Sequence, residues 1–357
     1  DEGLHDAQFI EARCENFEAF RESLAEYDEA TVEEKTGVPF AQVAEAARMY
    51  AQNSPAAILY AMGITQYTHG TDNVLATSNL AMLTGNVGLP SGGVNPLRGQ
   101  SNVKGACDNG ALPNVYPGYQ TVDLPEVKAK FEQAWGVELD DAPGLTHLEI
   151  LRGVTAGPIR AIYLVGENPA LSEADATHAR EAMEKVDFLV VQDIFRTESA
   201  EYADVVLPAA SFAEKDGTFT NTERRVQRVR KAIPPVGDSR DDAWITCAIA
   251  RRMGEAGFDF ETAEQVMEEI ASLTPSYGGI THDRIDRVGL QWPCPAPSHP
   301  GTRFLHAETF PRPNGRGRFF PLQYRPPDEE PDAEYPLVLT TERSLYHYHT
   351  ATMTRRV

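Results

Sequence analysis

Apolar residues recur at Phe9, Ile10, Cys14, Phe17, Phe20 and Leu24 with near-helical spacing and predict one amphipathic helix across residues 6–27. A second is predicted from Pro39 to Ala51. The apolar run Ala56–Met62 reads as a buried strand, and Thr71–Leu83 as a helix that stops at Gly85. Strand followed by helix is the grammar of an α/β protein. It returns at Ile159–Val165 (strand), Glu173–Lys185 (helix), Phe188–Gln192 (strand) and Asp204–Leu207 (strand). Parallel strands joined in this way hold ligands at their carboxyl ends, where GENP (Gly166–Pro169) and Gln192-Asp193 fall. Alternation in ERRVQRVRK predicts a further strand carrying Val226 and Val229, and helices are expected at Asp241–Met253 and Thr262–Ser272. Prolines crowd the stretch from Trp292 to Pro331, which reads as an interdomain connection before a fresh strand at Tyr335–Thr341.

Between these α/β stretches, Met82–Gln120 carries Gly, Asn and Pro too densely for a regular helix or strand and reads as a shaped loop. Within it Arg98 stands between Pro96 and Gly99, a guanidinium on backbone that is rigid on one side and open on the other. That arrangement suits an anion site. The plainer readings are an exposed loop arginine or a structural pair with a buried carboxylate such as Asp108.

Composition narrows the classes. The chain has 357 residues, enough for two or three domains, with 41% hydrophobic residues and no apolar run long enough to span a bilayer. It starts without Met and stops at Val357 just after a promising strand, so both ends read as cut from something longer, and no export signal is visible at Asp1. A net charge of −21 opposes nucleic-acid binding, and the single basic cluster, Arg224, Arg225, Arg228, Arg230 and Lys231, lies on the predicted strand. The acidic excess, with seven Lys against 25 Arg, fits either a salt-adapted or an ordinary acidic cytoplasmic protein. Cys14, Cys107, Cys247 and Cys294 form no CxxC pair, which leaves no iron–sulfur or zinc pattern; Cys107 reads as a packed thiol.

An ordered series of motifs covers nearly the whole chain: YAMGITQYTHGTDNV at Tyr60–Val74, NLAMLTGNVG at Asn79–Gly88, the arginine loop, VGENPA at Val165–Ala170, the run Val191–Ile233, and YHYHTATMTRR at Tyr346–Arg356. The series resembles the molybdenum or tungsten bis-pterin oxidoreductases and, among them, the catalytic alpha subunits of formate dehydrogenases. The resemblance implies parts of two three-layer Rossmann-like α/β domains plus the first strand of a C-terminal β-barrel. Its boundaries would be 1–98, ending in the arginine loop, 99–330, with the Pro-rich connection, and 331–357. It also implies an oxidoreductase in which formate is oxidised to CO2 by hydride transfer to the metal of a bis-molybdopterin guanine dinucleotide. Electrons would leave through an iron–sulfur cluster bound outside this chain. The metal-binding Cys or selenocysteine with its His would lie upstream, so the isolated portion is expected to be inactive. Electron-transfer subunits or domains are the implied partners, and the location is expected to be cytoplasmic.

Site residues carry over position by position. Arg98 matches the substrate-orienting arginine, its planar fork suited to a carboxylate. His69 has the type for a proton shuttle, the other reading being an ordinary hydrogen-bonding residue, and Gln66 falls where it would touch the pterin. Gly166 and Asn168 of GENP, with Gln192 and Asp193, are candidate cofactor contacts. An Asp after a strand can take both the N1–H and the exocyclic amine of a guanine, or close an Asx turn. Thr197, Asn221 and Arg224 match further contacts, Asn221 being also a plausible turn residue. His349 lies in the segment placed beside the pterin; with His347 it forms an HxH without nearby ligands, so no metal site is read there. Departures from the family pattern are Ser101, Lys104, Glu342 and Ala351, all leaving Arg98 in place. The alternatives kept open are a nitrate reductase or other oxidoreductase of the superfamily, or a non-catalytic scaffold. A simple NAD-binding dehydrogenase is disfavoured because no GxGxxG follows a strand.

Overall fold

The computed structural model describes residues 2–340 together with Ser344, Tyr346 and His347. These fall into two compact units, residues 2–99 with 303–340, and residues 100–302.

In the first unit the predicted helix over 6–27 is broken. Helix α1 (Ala7–Arg13) ends at Cys14, Cys14–Glu15 becomes extended, and α2 (Phe17–Ser23) follows an Asn16 held at φ 64°. The cause lies far away in sequence. Cys14–Glu15 pairs in parallel with Gly317–Arg318, and Asn16 Nδ2 donates to the Phe319 carbonyl at 2.8 Å. The Arg316 guanidinium caps the α1 carbonyls of Glu11, Ala12 and Cys14. Phe319, fully buried, packs with Ile10, Cys14, Phe20 and Met82 into one core, so the far half of the Pro-rich stretch is built into this unit. Burying a Phe stabilises by roughly 2–3 kcal/mol, enough to outweigh a break in a short amphipathic helix.

Helix α3 (Phe40–Gln52), strand β1 (Ala57–Tyr60) and helix α4 (Gly70–Leu83) follow the sequence expectation closely. Strand β1 pairs in parallel with β2 (Gly93–Pro96), which lies inside the segment read as a loop. It is less covered than a buried strand, with Leu59 64% exposed. The motif NLAMLTGNVG has a structural role here. Buried Asn79 exchanges two hydrogen bonds with the Phe320 backbone, and buried Asn86 accepts from Ala56 N–H at 2.9 Å and from the Ser54 hydroxyl at 3.0 Å. At Gly88, φ 76°, a Cβ would lie 2.5 Å from the His306 carbonyl oxygen, so only glycine fits.

The second unit begins with helix α5 (Val103–Asp108), again inside the expected loop. Helix α6 (His147–Ala156), started by a Thr146/Glu149 capping box, precedes β3 (Ala161–Val165), helix α7 (Ala176–Lys185), β4 (Phe188–Asp193) and β5 (Val205–Pro208). The three strands form a parallel sheet in the order β3-β4-β5, with Val165 opposite Gln192 and Asp193 opposite Pro208. Leu189 and Val191 of β4, wholly buried, pack with Ala170, Met183 and Ala200. The α6–α7 contact is made by Leu151, Val154, Ala179 and Ala182. A hairpin of β6 (Gly217–Thr220) and β7 (Arg225–Val229) follows, pairing Thr220 with Val226, then helices α8 (Asp242–Met253) and α9 (Ala263–Leu273). Residues 335–340 form no ladder among the described residues; the expected barrel strand reaches Thr341, outside them.

Candidate functional site

Two sets of strand ends gather the candidate residues, one in each unit. In the first, β1 and β2 run parallel with Tyr60 opposite Pro96, and Leu97 N–H donates to the Tyr60 carbonyl at 2.7 Å. Arg98 therefore leaves the carboxyl end of β2 just where β1 ends, which is the topological position for a ligand group. It is exposed and makes no ion pair among the described residues. From the end of β1 the chain passes through the short helix Met62–Thr65 to exposed Gln66 and then to half-buried His69, at the start of α4. His69 Nδ1 lies 3.3 Å from the Thr68 hydroxyl. Arg98, Gln66 and His69 thus follow the same pair of strand ends.

In the second unit a cavity of about 1300 Å³ opens at the carboxyl ends of β3 and β4. Gly166, Asn168, Gln192, Asp193 and Thr197 all line it. Gly166 has φ 65°, and its N–H donates to the Gln192 carbonyl at 2.9 Å, tying the two strand ends together. The Asn168 amide is engaged inside the protein. Its Nδ2 donates to Glu198 at 2.8 Å, while its Oδ1 accepts from the Ser199 N–H at 3.0 Å and hydroxyl at 2.8 Å. Gln192 is 1% exposed; its Oε1 accepts from the Tyr163 hydroxyl and its Nε2 donates to Asp242 at 2.6 Å.

Asp193 forms the Asx turn that the sequence offered as one reading. Its Oδ1 closes an Asx turn, accepting the Ile194 N–H at 2.7 Å and the Phe195 N–H at 3.3 Å, and its Oδ2 accepts no hydrogen bond from the described residues. Burial raises the Asp193 carboxyl above its ordinary range; the two N–H groups oppose the shift, and the nearby Glu167 and Asp242 charges reinforce it. The Thr197 hydroxyl is buried with no hydrogen-bond partner among the described residues, an unmet polar group that a ligand can satisfy. Phe195 and Phe212, 64% and 62% exposed, present aromatic surface to the same space.

The cavity is acid-rich. Glu167, Glu173, Asp193, Glu198 and Asp242 face it, and its cationic side chains already have carboxylate partners, Arg196 with Glu201 and Lys215 with Asp242, while His147 Nε2 lies 3.2 Å from Glu173. Such a lining favours a donor-rich ligand edge over bare phosphate. A guanine edge, with two adjacent N–H donors, matches the open Asp193 oxygen and the unmet Thr197 hydroxyl, so the residues present fit the nucleotide end of a pterin dinucleotide.

Other candidates lie elsewhere. Asn221 and Arg224 do not line this cavity but form the β6–β7 turn, where Asn221 Oδ1 accepts the Arg225 N–H at 3.0 Å. Arg224, at φ 67°, bonds the carbonyls of Trp292 and Thr302 and lies over the Trp292 ring. His349 lies outside the described residues. Cys107 is half-buried, and Cys14 is buried with its thiol pushed up to about 11 by desolvation. Tyr163, Lys215, Asp242, Phe195 and Phe212 are the cavity residues that sequence reasoning missed. Phe195, Phe212 and Lys215 sit inside the quoted run Val191–Ile233, so a signal was at hand for them; Asp242 lies 50 positions from Gln192, beyond any local pattern.

The sequence profile of the family described as Molybdopterin oxidoreductase matches residues 12–252. The chain belongs to that family. Membership implies a molybdopterin carrying molybdenum or tungsten. The chain is 48% identical over 358 residues to the F420-dependent formate dehydrogenase 2 subunit alpha of Methanococcus maripaludis, covering 99% of this chain and 52% of that protein. It is 42% identical over 358 residues to formate dehydrogenase H of Escherichia coli, covering 99% of this chain and 50% of that protein. It thus spans about half the length of the curated relatives it matches. Among solved structures, acetylene hydratase from Pelobacter acetylenicus superimposes with a TM-score of 0.64 at 18% identity, covering 92% of this chain and 48% of that one. This last likeness carries the fold alone. No helix among the described residues is long and apolar enough to cross a membrane.

Proposed function

We propose that this chain is part of a formate dehydrogenase catalytic subunit that oxidises formate to CO2. The observation that carries the reading is 48% identity along 99% of the chain to a formate dehydrogenase alpha subunit, with an exposed Arg98 at a strand end that makes no ion pair among the described residues. Formate loses two electrons and a proton in becoming CO2; the metal of the bis-molybdopterin guanine dinucleotide, when bound, supplies the electron acceptor. Arg98 holds the carboxylate through two parallel N–H bonds and so fixes where the C–H points. His69 takes up or relays the released proton, and Gln66 contacts the pterin. Asp193, Gly166 and Thr197 hold the guanine end of the dinucleotide, with Asn168 and Gln192 shaping the same cavity. Arg224, Asn221 and His349 are assigned to the cofactor's surroundings.

The change of domain is assigned to the Arg98–Gly99 link and the start of the barrel domain to residue 331; of the second domain expected over 99–330, residues 303–330 pack with the first unit instead. An iron–sulfur cluster and electron-transfer subunits lie outside this chain, and the acidic, Lys-poor surface belongs to a cytoplasmic protein adapted to salt. Dye-coupled turnover of the intact, metal-loaded subunit tests the reading, with formate and nitrate offered in parallel. Formate-dependent dye reduction is expected, falling about 100-fold or more in Arg98→Ala, as for loss of a charge-orienting donor. Nitrate-dependent dye oxidation without formate activity would overturn the substrate. A metal-loaded subunit inert to both would point to a scaffold.

A further inference from the structure

Four polar side chains form one hydrogen-bonded chain along the wall of the cavity. Lys215 Nζ pairs with Asp242 Oδ2, Gln192 Nε2 donates to Asp242 Oδ1 at 2.6 Å, and the Tyr163 hydroxyl donates to Gln192 Oε1. Chemistry fixes the direction of this chain. A carboxylate only accepts, so the amide nitrogen of Gln192 must turn to Asp242 and its oxygen to Tyr163; a flipped amide would set two acceptors face to face. Gln192 is 1% exposed, its carbonyl receives the Gly166 N–H, and the next residue is Asp193. Gln192 therefore joins the side-chain network of the cavity wall, through its amide, to the ends of both strands that frame the cavity, through its backbone.

We propose that Asp242, neutralised by Lys215, is the positioning residue of this site. It orients Gln192 and thereby aims Asp193 and Gly166, while the Gln192 side chain itself does not contact the nucleotide. This rests on the nucleotide reading of the cavity. Lys215 has a definite task in it: without the ammonium, Asp242 would be a second uncompensated carboxylate beside Asp193, whose ionisation it already opposes. Tyr163 closes the other end of the chain.

The test uses the intact catalytic subunit purified with its bound cofactor, and reads the GMP released per subunit after denaturation in hot acid, together with the thermal midpoint. Gln192→Glu faces a carboxylate with a carboxylate and is expected to lower retained GMP at least about tenfold. Asp242→Asn, which leaves Gln192 free to flip, is expected to lower it about fivefold, the scale of one hydrogen bond. In the double variant, Gln192→Glu with Asp242→Asn, the carboxylate has only exchanged sides; the new amide at position 242 donates to it and Tyr163 still does. GMP retention is then expected to return to within about twofold of wild type, the sign of compensating neighbours. A double variant as poor as Gln192→Glu alone would overturn the inference, because it would mean that the amide itself serves the ligand. Tyr163→Phe is the mild companion, expected to cost about fivefold in GMP with the thermal midpoint nearly unchanged; wild-type retention there also counts against the chain. Wild-type subunit releasing no guanine nucleotide would bring down the reading of the cavity, whereas normal wild-type release with full retention in Asp242→Asn would sink the positioning role alone.

Discussion

Asp108 and Asp193 are both carboxylates drawn into the second unit, and they are treated in opposite ways. Asp108, at the end of α5 and 1% exposed, has both oxygens engaged: Oδ1 accepts from Tyr119 at 2.9 Å, Oδ2 from Tyr277 at 2.7 Å and from the Trp292 indole at 2.6 Å. Lys104 Nζ lies 3.9 Å from it and 4.8 Å from the centre of the Trp292 ring. Asp193 has one oxygen closed by its own turn and the other open to the cavity. A buried carboxylate whose acceptors are all met is a staple between segments, here joining residues 119, 277 and 292 to α5. One whose acceptors are half met, beside a buried hydroxyl with no partner among the described residues, leaves polar groups that a donor-bearing ligand can satisfy.

The sharpest way to break this contrast is to remove each group in the intact subunit. Asp108→Ala removes the carboxylate that accepts from a buried tyrosine hydroxyl and an indole N–H and that lies beside Lys104, and is expected to destabilise by about 3–5 kcal/mol, read as a large fall in the denaturant midpoint. Asp193→Asn is expected to leave that midpoint nearly unchanged while lowering retained guanine nucleotide about 10- to 100-fold, the range for a hydrogen bond to a charged group. A variant at Asp193 that unfolds as readily as one at Asp108 would erase the distinction.

Acid sharpens the comparison next. Burial raises the Asp193 carboxyl above its ordinary 3.8, so the folded protein holds this proton more tightly than the unfolded chain does. The stability from this group is therefore present below 3.8 and declines as pH rises from there through the raised value. Ligand retention has the opposite sign, because an N–H edge needs the ionised carboxylate. Nucleotide dissociation measured by gel filtration across mildly acidic pH is expected to accelerate as pH falls, and this acceleration is expected to vanish in Asp193→Asn. The smallest effect belongs to Thr197→Val: about a fivefold loss of nucleotide with stability equal to or slightly above wild type, since the hydroxyl has no partner to lose among the described residues.

Sequence made the β/α grammar readable where strands β3, β4 and β5 and helices α7, α8 and α9 are set by their own local patterns, whereas α5 lay inside the segment read as a loop and α6 was not read at all. GENP and Gln192-Asp193 were legible as one site because parallel strands deliver their carboxyl ends to the same level. What stayed hidden depends on distant partners. The helix over residues 6–27 breaks for the sake of Gly317–Arg318 and Phe319, and no local pattern announces a partner some 300 positions away. Arg98 was legible from its flanking Pro and Gly, yet the strand Gly93–Pro96 that delivers it was not, since its glycine and proline read as loop. Asn221 and Arg224 lie in the same matched run as Thr197, but they form the turn of a hairpin that reaches the cavity through Phe219, and they themselves do not line it.

The most direct test of the half-met carboxylate is the base content of the intact, cofactor-loaded subunit, compared between wild type and Asp193→Asn at equal folded concentration. Guanine is expected as the released base in the wild type, with its selective loss in the variant. Release of a cytosine or adenine nucleotide instead, or undiminished guanine in Asp193→Asn, would contradict it.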